Sequence, residues 1–421
     1  MTNLRNYALV TAAYWTFTLS DGALRMLVLL HFYTLGFTPF QLALLFLLYE
    51  FFGVVTNLLG GWVGSRIGIK VTLCGGLALQ VVALLMLSGL DERWVMWLSI
   101  AYVVAAQGLS GIAKDLTKMS AKSAIKLVVP EDAHGALFKW VALLTGSKNA
   151  LKGVGFFLGG LLLGSLGFGA ALWVMAAVLV VAFVSMVIML PDGMGQAKEK
   201  EKLSRIFSKT AEINLLSAAR FFLFGARDVW FVIGVPVFLH GTLNWTFMEV
   251  SAFLAAWLIG YGVIQAATPA FVSRSADGRT AETRGARLWA FILGLVPVAI
   301  VLAMSLDDRL VFAWLAPGWT IIVGLAVFGF VFAVNSSVHS YLILAYTGSD
   351  KVALNVGFYY MANAGGRLLG TLLSGLTYQI AGLTGCLLAA SAMVAVSWLI
   401  TLALPAIRPS GSIGASAKQP Q

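Results

Sequence analysis

Polar and ionic residues interrupt the apolar segments of this sequence. The stretch TFTLSDGALRMLVLLHF belongs to one such segment, in which four polar residues share a helical face: Tyr14, Thr18, Asp21 and Arg25. A charge at the centre of a bilayer costs at least about 2.5 kcal/mol. We therefore expect this stripe to face protein or a water-filled cavity. Two interpretations are open, an Asp21–Arg25 pair that neutralises itself and side chains that line a transport pathway.

Other ionic and polar side chains fall at similar depths in later segments. Glu50 could be a proton-coupling acid or the structural partner of a nearby arginine. Arg227 and Asp228 are adjacent, so they leave a helix about 100° apart and are not expected to face one spot. The candidate substrate-binding residues are Arg25, Lys152, Arg227, Arg367, Tyr14, Gln107, Tyr359 and Asn363, and the candidate coupling or charge-pair residues are Asp21, Glu50 and Asp228.

The balance of these charges is positive, which favours an anionic small-molecule substrate. Arginine binds carboxylate, phosphate and arsenate oxyanions through two parallel hydrogen bonds. A row of lysines at i+4 spacing, Lys114 to Lys126, is either a basic helix extension or an entry funnel that concentrates the anion. A pump for lipophilic cations would lean acidic instead.

No pattern in the sequence indicates an enzyme. There is no Walker A stretch for ATP, and the 4 histidines lack metal-ligand spacing. The 2 cysteines lie in separate apolar runs, which predicts neither a disulfide framework nor a thiolate site. We therefore predict no catalytic residues, no cofactor and no metal.

Composition indicates an all-α polytopic membrane protein. Of the 421 residues, 60% are hydrophobic and 11% are charged, whereas soluble domains contain roughly 25% charged residues. Long apolar runs favour helices over an outer-membrane barrel. We count 12 segments, at 5–36, 38–64, 70–90, 94–114, 142–168, 169–190, 213–240, 245–271, 288–305, 318–345, 353–376 and 382–404.

The segments divide into two groups of six. We predict an N-terminal half at 1–190, a charged cytoplasmic linker at 191–212, a C-terminal half at 213–405 and a disordered cytoplasmic tail at 406–421. Lysine and arginine lie mainly in alternate loops, which places both termini in the cytoplasm and explains the net charge of +10 without nucleic acid. Weak similarity between the halves is typical of secondary transporters with a site at the interface.

The loop GWVGSRIGIK resembles the cytoplasmic loop signature of the major facilitator superfamily through Gly61, Arg66, Gly68 and Lys70, although Ser65 stands where that family has an acid. The resemblance implies 12 transmembrane helices in two six-helix halves around a central cavity, transport by alternating access and, as a family-level expectation, proton antiport.

Residues 6–62 resemble the start of the bacterial organoarsenical efflux permeases. That resemblance implies efflux of 1-arseno-3-phosphoglycerate across the bacterial inner membrane, with glyceraldehyde-3-phosphate dehydrogenase as the functional partner that supplies the substrate, and hence arsenate resistance. The alternatives are an organophosphate or organic-anion transporter, a drug transporter of the same superfamily and a membrane receptor that does not transport.

Overall fold

The computed structural model describes residues 2–91, 93–124, 134–194, 210–268, 272, 279–307, 318–347 and 352–405. Within helices, side chains are not described at 2–3, 59–67, 134–146 and 352–354. All regular structure in the described part is helical. The elements are α1 (Thr2–Thr34), α2 (Pro39–Leu45), α3 (Leu47–Ile67), α4 (Ile69–Ser88), α5 (Met96–Ala124), α6 (His134–Met189), α7 (Ala211–Phe231), α8 (Gly234–Gly241), α9 (Phe247–Ala267), α10 (Thr280–Asp307), α11 (Trp319–Ala345) and α12 (Val352–Leu402).

The two longest helices are each interrupted at a glycine. Gly167 in α6 has φ 78°, and Gly382 in α12 has φ 60°, a region that favours residues without Cβ. The 56 residues of α6 would extend roughly 84 Å if straight, whereas a hydrocarbon core is about 30 Å thick. Each of these helices is therefore long enough to cross a bilayer twice and to reverse at its glycine.

Nine helical stretches of the described residues are long and apolar enough to span a membrane. Helix α1 is not among them, because its ionic residues lower its hydropathy. Its segment from Asp21 to Leu30 is nevertheless buried throughout, so neighbouring helices enclose it. The all-helical membrane fold is confirmed, and the count of 12 spans stays a prediction.

The two halves, α1–α6 and α7–α12, are in contact at one end of the bundle, which we call the closed end. The backbone N–H of Phe40 donates to Gln379 Oε1 over 3.2 Å, and the rings of Tyr33 and His240 meet edge to face at 5.8 Å. A Cβ on Gly375 would lie 2.4 Å from the carbonyl oxygen of Pro39. The glycine thus permits close approach of α12 to α2.

This close approach can be tested with Gly375→Val. We expect the substitution to lower the free energy of unfolding by about 1–3 kcal/mol, because the new side chain overlaps the α2 backbone. Gly164→Val is the matched control, since no atom lies within 4 Å of a Cβ placed there. Thermal unfolding of the purified protein in detergent measures both, and equal stability of the two variants would contradict the observed packing.

Two contacts hold the start of the predicted central linker in place. Lys70 Nζ contacts Asp192 Oδ1 at 2.7 Å, and the N–H of Ile69 donates to the carbonyl of Met194 over 2.8 Å. These bonds hold the end of the first half against the start of α4. Most of the predicted linker and the whole predicted tail, 406–421, lie outside the described residues.

Candidate substrate cavity

Five ionic side chains form a network across the interface between the halves, which we call the central ion network. Glu50 Oε1 accepts from Arg25 Nη1 over 2.9 Å and from Arg367 Nη2 over 2.7 Å. Arg367 Nε also donates to Asp228 Oδ2 over 3.2 Å. Asp228 contacts Arg227 as well, at 2.5 Å. Glu50 is only 1% exposed, so these ion pairs form in a setting of low dielectric, where they are strong.

The network differs from the pairing that helix spacing suggests. Arg25 pairs with Glu50 on α3 instead of with Asp21, which accepts a hydrogen bond of 2.7 Å from Tyr49 Oη. Arg227 and Asp228 do meet, contrary to expectation, because the long arginine side chain curls back to its neighbour's carboxylate. Spacing along a helix determines the position of each Cβ. A long side chain can nevertheless reach a partner on the next turn or on another helix.

A polar cavity lies between the halves, beside the central ion network, and has two lobes that share several residues. The cavity volume is about 60 Å³ in the deep lobe and about 130 Å³ in the outer lobe. Its polar lining consists of Tyr14, Thr18, Asp21, Glu50, Asn57, Lys114, Asp115, Lys118, Lys148, Lys152 and Arg367. The outer lobe is lined by Tyr14, Asn57, Lys118, Lys122, Lys148, Tyr360, Asn363, Ala364 and Arg367.

The cavity opens toward the end of the bundle at which α1 and α12 begin. Lys114 and Lys118 of α5 are half-buried, and Lys122, one turn further on, is exposed. The cavity is therefore closed at one end by contacts between the halves and accessible at the other. Lys114, Lys118 and Lys122 of the row predicted from i+4 spacing line this opening, whereas Lys126 lies outside the described residues.

The lining of the cavity is cationic. Three acids face the deep lobe, but each is already engaged: Glu50 with two arginines, Asp21 with Tyr49, and Asp115 with Lys118 at 3.2 Å. Among the described residues, four lining lysines form no ion pair, namely Lys114, Lys122, Lys148 and Lys152. In the part of the chain that the structure describes, no carboxylate lines the outer lobe. An entering anion would meet these unpaired ammonium groups.

The structure divides the candidate residues into three groups. Those that line a lobe are Tyr14, Asp21, Glu50, Lys152, Asn363 and Arg367. Arg25, Arg227 and Asp228 belong to the central ion network and line neither lobe. Gln107 is buried on α5 with Nε2 unpartnered, and Tyr359 is buried beside Arg220.

The residues of the loop signature are only partly described. Gly61 and Arg66 lie in the last turns of α3, where side chains are outside the described residues. Gly68 has φ 91° and precedes α4. Lys70 pairs with Asp192, so in this structure it contacts the start of the linker.

Several cavity residues were not among the sequence candidates. Lys148 lies one turn before Lys152, a spacing that could have indicated it. Asp115 follows Lys114 directly and gave no signal, because a single acid in a basic row resembles a solvated face. Tyr49 lines neither lobe, but its hydroxyl donates to Asp21, and spacing in the sequence does not indicate that bond.

The fold and the site define a polytopic membrane transporter with a cavity between two helical halves. The Major Facilitator Superfamily profile matches residues 10–306, and the chain belongs to that family. No curated protein matches the sequence significantly.

Two solved structures are similar over nearly the whole chain. The first is described as "Structural insights into substrate recognition in proton dependent oligopeptide transporters". Its sequence is 14% identical to this chain, the TM-score is 0.67, and the match covers 95% of this chain and 98% of the other. The other, a bacterial homologue of the iron transporter ferroportin in an inward-facing state, has 15% identity and a TM-score of 0.66, with the same coverage. At such identity the likeness concerns the fold alone.

Proposed function

We propose that this chain is a secondary active exporter of an organic anion, specifically of 1-arseno-3-phosphoglycerate, and that it confers arsenate resistance. The observation that carries the anionic substrate is the excess of cations in the cavity, where four lysines lack a carboxylate partner among the described residues. The arsenic-containing substrate rests on the resemblance of residues 6–62 to organoarsenical efflux permeases. The four lysines all lie outside residues 6–62, so the two arguments use different residues.

The chemistry of the cavity suits pentavalent arsenic. An acyl arsenate and a phosphate both present oxygen atoms with negative charge, which Arg367 and the lysines can bind through charge-assisted hydrogen bonds. A trivalent arsenic site would require thiolates. Cys74 is half-buried on α4 and Cys386 is buried on α12, and neither lines the cavity.

An opening of the cavity toward the cytoplasm is what loading for export requires. The distribution of positive charge predicts that α1 begins in the cytoplasm, so the cavity would load from that side of the bacterial inner membrane. The similar ferroportin homologue is described as inward-facing. Alternating access would then open the closed end, where Phe40 and Gln379 join the halves, and release the anion outside. We propose that the proton gradient drives export through proton antiport.

The proposal can be tested in cells that have no other means of arsenate resistance. Expression of the chain together with glyceraldehyde-3-phosphate dehydrogenase is expected to raise arsenate resistance and to lower retained arsenic. Expression without the dehydrogenase is the control and should have a much smaller effect. Unchanged resistance and retention, with the protein confirmed in the membrane, would refute the proposal.

Transport in inverted membrane vesicles separates the alternatives. Uptake of arsenic that requires the dehydrogenase and its substrates supports the proposed cargo, and its loss with an uncoupler supports proton antiport. Uptake of 3-phosphoglycerate without arsenate would indicate a general organophosphate or organic-anion transporter. Uptake of lipophilic cations instead would indicate a drug transporter, which the cationic lining disfavours.

A further inference from the structure

A second buried cation lies in the C-terminal half, outside the cavity. Arg220 of α7 is 3% exposed. Its Nη1 donates to the carbonyl oxygen of Ser336 over 3.0 Å and to Ser336 Oγ over 3.1 Å. Both partners are neutral and belong to α11, and Nε has no hydrogen-bond partner. The positive charge is thus held inside the bundle by groups that do not balance it.

This arginine differs from those of the central ion network. Arg25, Arg227 and Arg367 each contact a carboxylate, whereas Arg220 contacts none among the residues that the structure describes. Aromatic rings flank its guanidinium, with Phe224 at 3.9 Å and Tyr359 at 5.0 Å from the ring centroids. Such rings offset the charge only in part, because a buried ion loses much more hydration than a ring quadrupole returns.

Further polar atoms near Arg220 also lack partners. His339 of α11 lies one turn after Ser336, the hydrogen-bond partner of Arg220, and so on the same side of the helix. It is fully buried and makes no hydrogen bond from Nδ1 or Nε2. Ser217, one turn before Arg220 on α7, has an unpartnered hydroxyl. Buried polar groups are nearly always satisfied, and a group of orphans indicates an unseen water or ion.

We propose that Arg220 and His339 form a binding site for a small monovalent inorganic anion such as chloride. The guanidinium supplies the charge, and imidazole N–H and serine O–H groups can supply further donors. The burial of these side chains excludes an anion of the size of the transported substrate. The site lies wholly within the C-terminal half, whereas the cavity is formed by both halves, so its occupancy does not require substrate.

Anion-dependent stability of the purified full-length protein tests this site. We expect the thermal unfolding temperature to rise with the logarithm of the chloride concentration above the dissociation constant when chloride replaces gluconate at constant ionic strength, since the ligand binds only the folded state. Arg220→Gln should abolish most of the rise, and His339→Gln should shift the onset of the rise to higher chloride. Arg93→Gln is the control, because that side chain is 92% exposed and should leave the rise unchanged.

Two results would overturn the proposal. One is a chloride-dependent rise that is absent from the unsubstituted protein or equally large in Arg220→Gln. The other is an absence of saturable radiolabelled chloride binding to the unsubstituted protein, which would mean that water fills the space. The binding measurement needs no variant, so it decides the question even if Arg220→Gln fails to fold. Neither readout depends on arsenate or on transport.

Discussion

Arg367→Ala is expected to raise the KM for the transported anion by at least about a hundredfold. Arg367 lines both lobes of the cavity. Its Nε and one N–H of Nη2 donate to Asp228 and Glu50, which leaves Nη1 and the second N–H of Nη2 as two donors for one oxyanion. A hydrogen bond to a charged group is worth roughly 1.5–3 kcal/mol, and every 1.4 kcal/mol is about tenfold in affinity. Loss of two such bonds therefore accounts for the predicted change, which initial rates of uptake into inverted vesicles would measure.

The central ion network explains why this variant should still fold. Without Arg367, Glu50 keeps its contact with Arg25 at 2.9 Å and Asp228 keeps its contact with Arg227. Neither acid is left as an isolated buried charge. The expected outcome is thus a loss of binding in a protein that is present in the membrane at normal levels.

Arg227→Ala is the matched control for Arg367→Ala. It removes an arginine from the same network, and Asp228 retains Arg367, but Arg227 lines neither lobe. We expect less than about a threefold change in KM, because no cavity contact is lost. Equal increases in both variants would mean that the network acts through its overall integrity and that Arg367 does not contact the anion.

Local sequence patterns predicted the helices well, because burial in lipid and reversal at glycine are local properties. The predicted segments 142–168 and 169–190 correspond to the two parts of α6 on either side of Gly167. The predicted segment 38–64 corresponds to α2 and α3 together. In each case a run of apolar residues sets the helix and a small residue marks the turn.

The polar face of α1 could also be predicted from the sequence, but the partners of its side chains could not. Tyr14 and Asp21 both reach the cavity, as their spacing on one face requires. Arg25 finds its carboxylate 25 positions away on α3, and Arg367 reaches the same carboxylate from 317 positions away. Such pairings depend on how six-helix halves dock, and a single sequence contains no periodicity that reports it.

Glu50→Gln is expected to destabilise the protein strongly, by about 3–5 kcal/mol, because it removes one partner of a buried ion pair. Arg367 would keep Asp228, but Arg25 would keep no carboxylate partner among the described residues. Arg25 is 7% exposed, so water cannot replace the lost charge. Denaturant or thermal unfolding in detergent micelles measures the loss, and export should fall with the amount of folded protein.

A double substitution distinguishes the effect of losing the ion pair from the effect of losing the Glu50 carboxylate itself. Glu50→Gln combined with Arg25→Gln removes both charges, so the double variant should be more stable than Glu50→Gln alone by roughly 1–3 kcal/mol. Arg25→Gln alone should be milder, since Glu50 retains Arg367 at 2.7 Å. If the double variant were no more stable than Glu50→Gln, Glu50 would not be compensating Arg25. Recovery of stability without recovery of export would instead indicate that Arg25 serves transport beyond balancing Glu50.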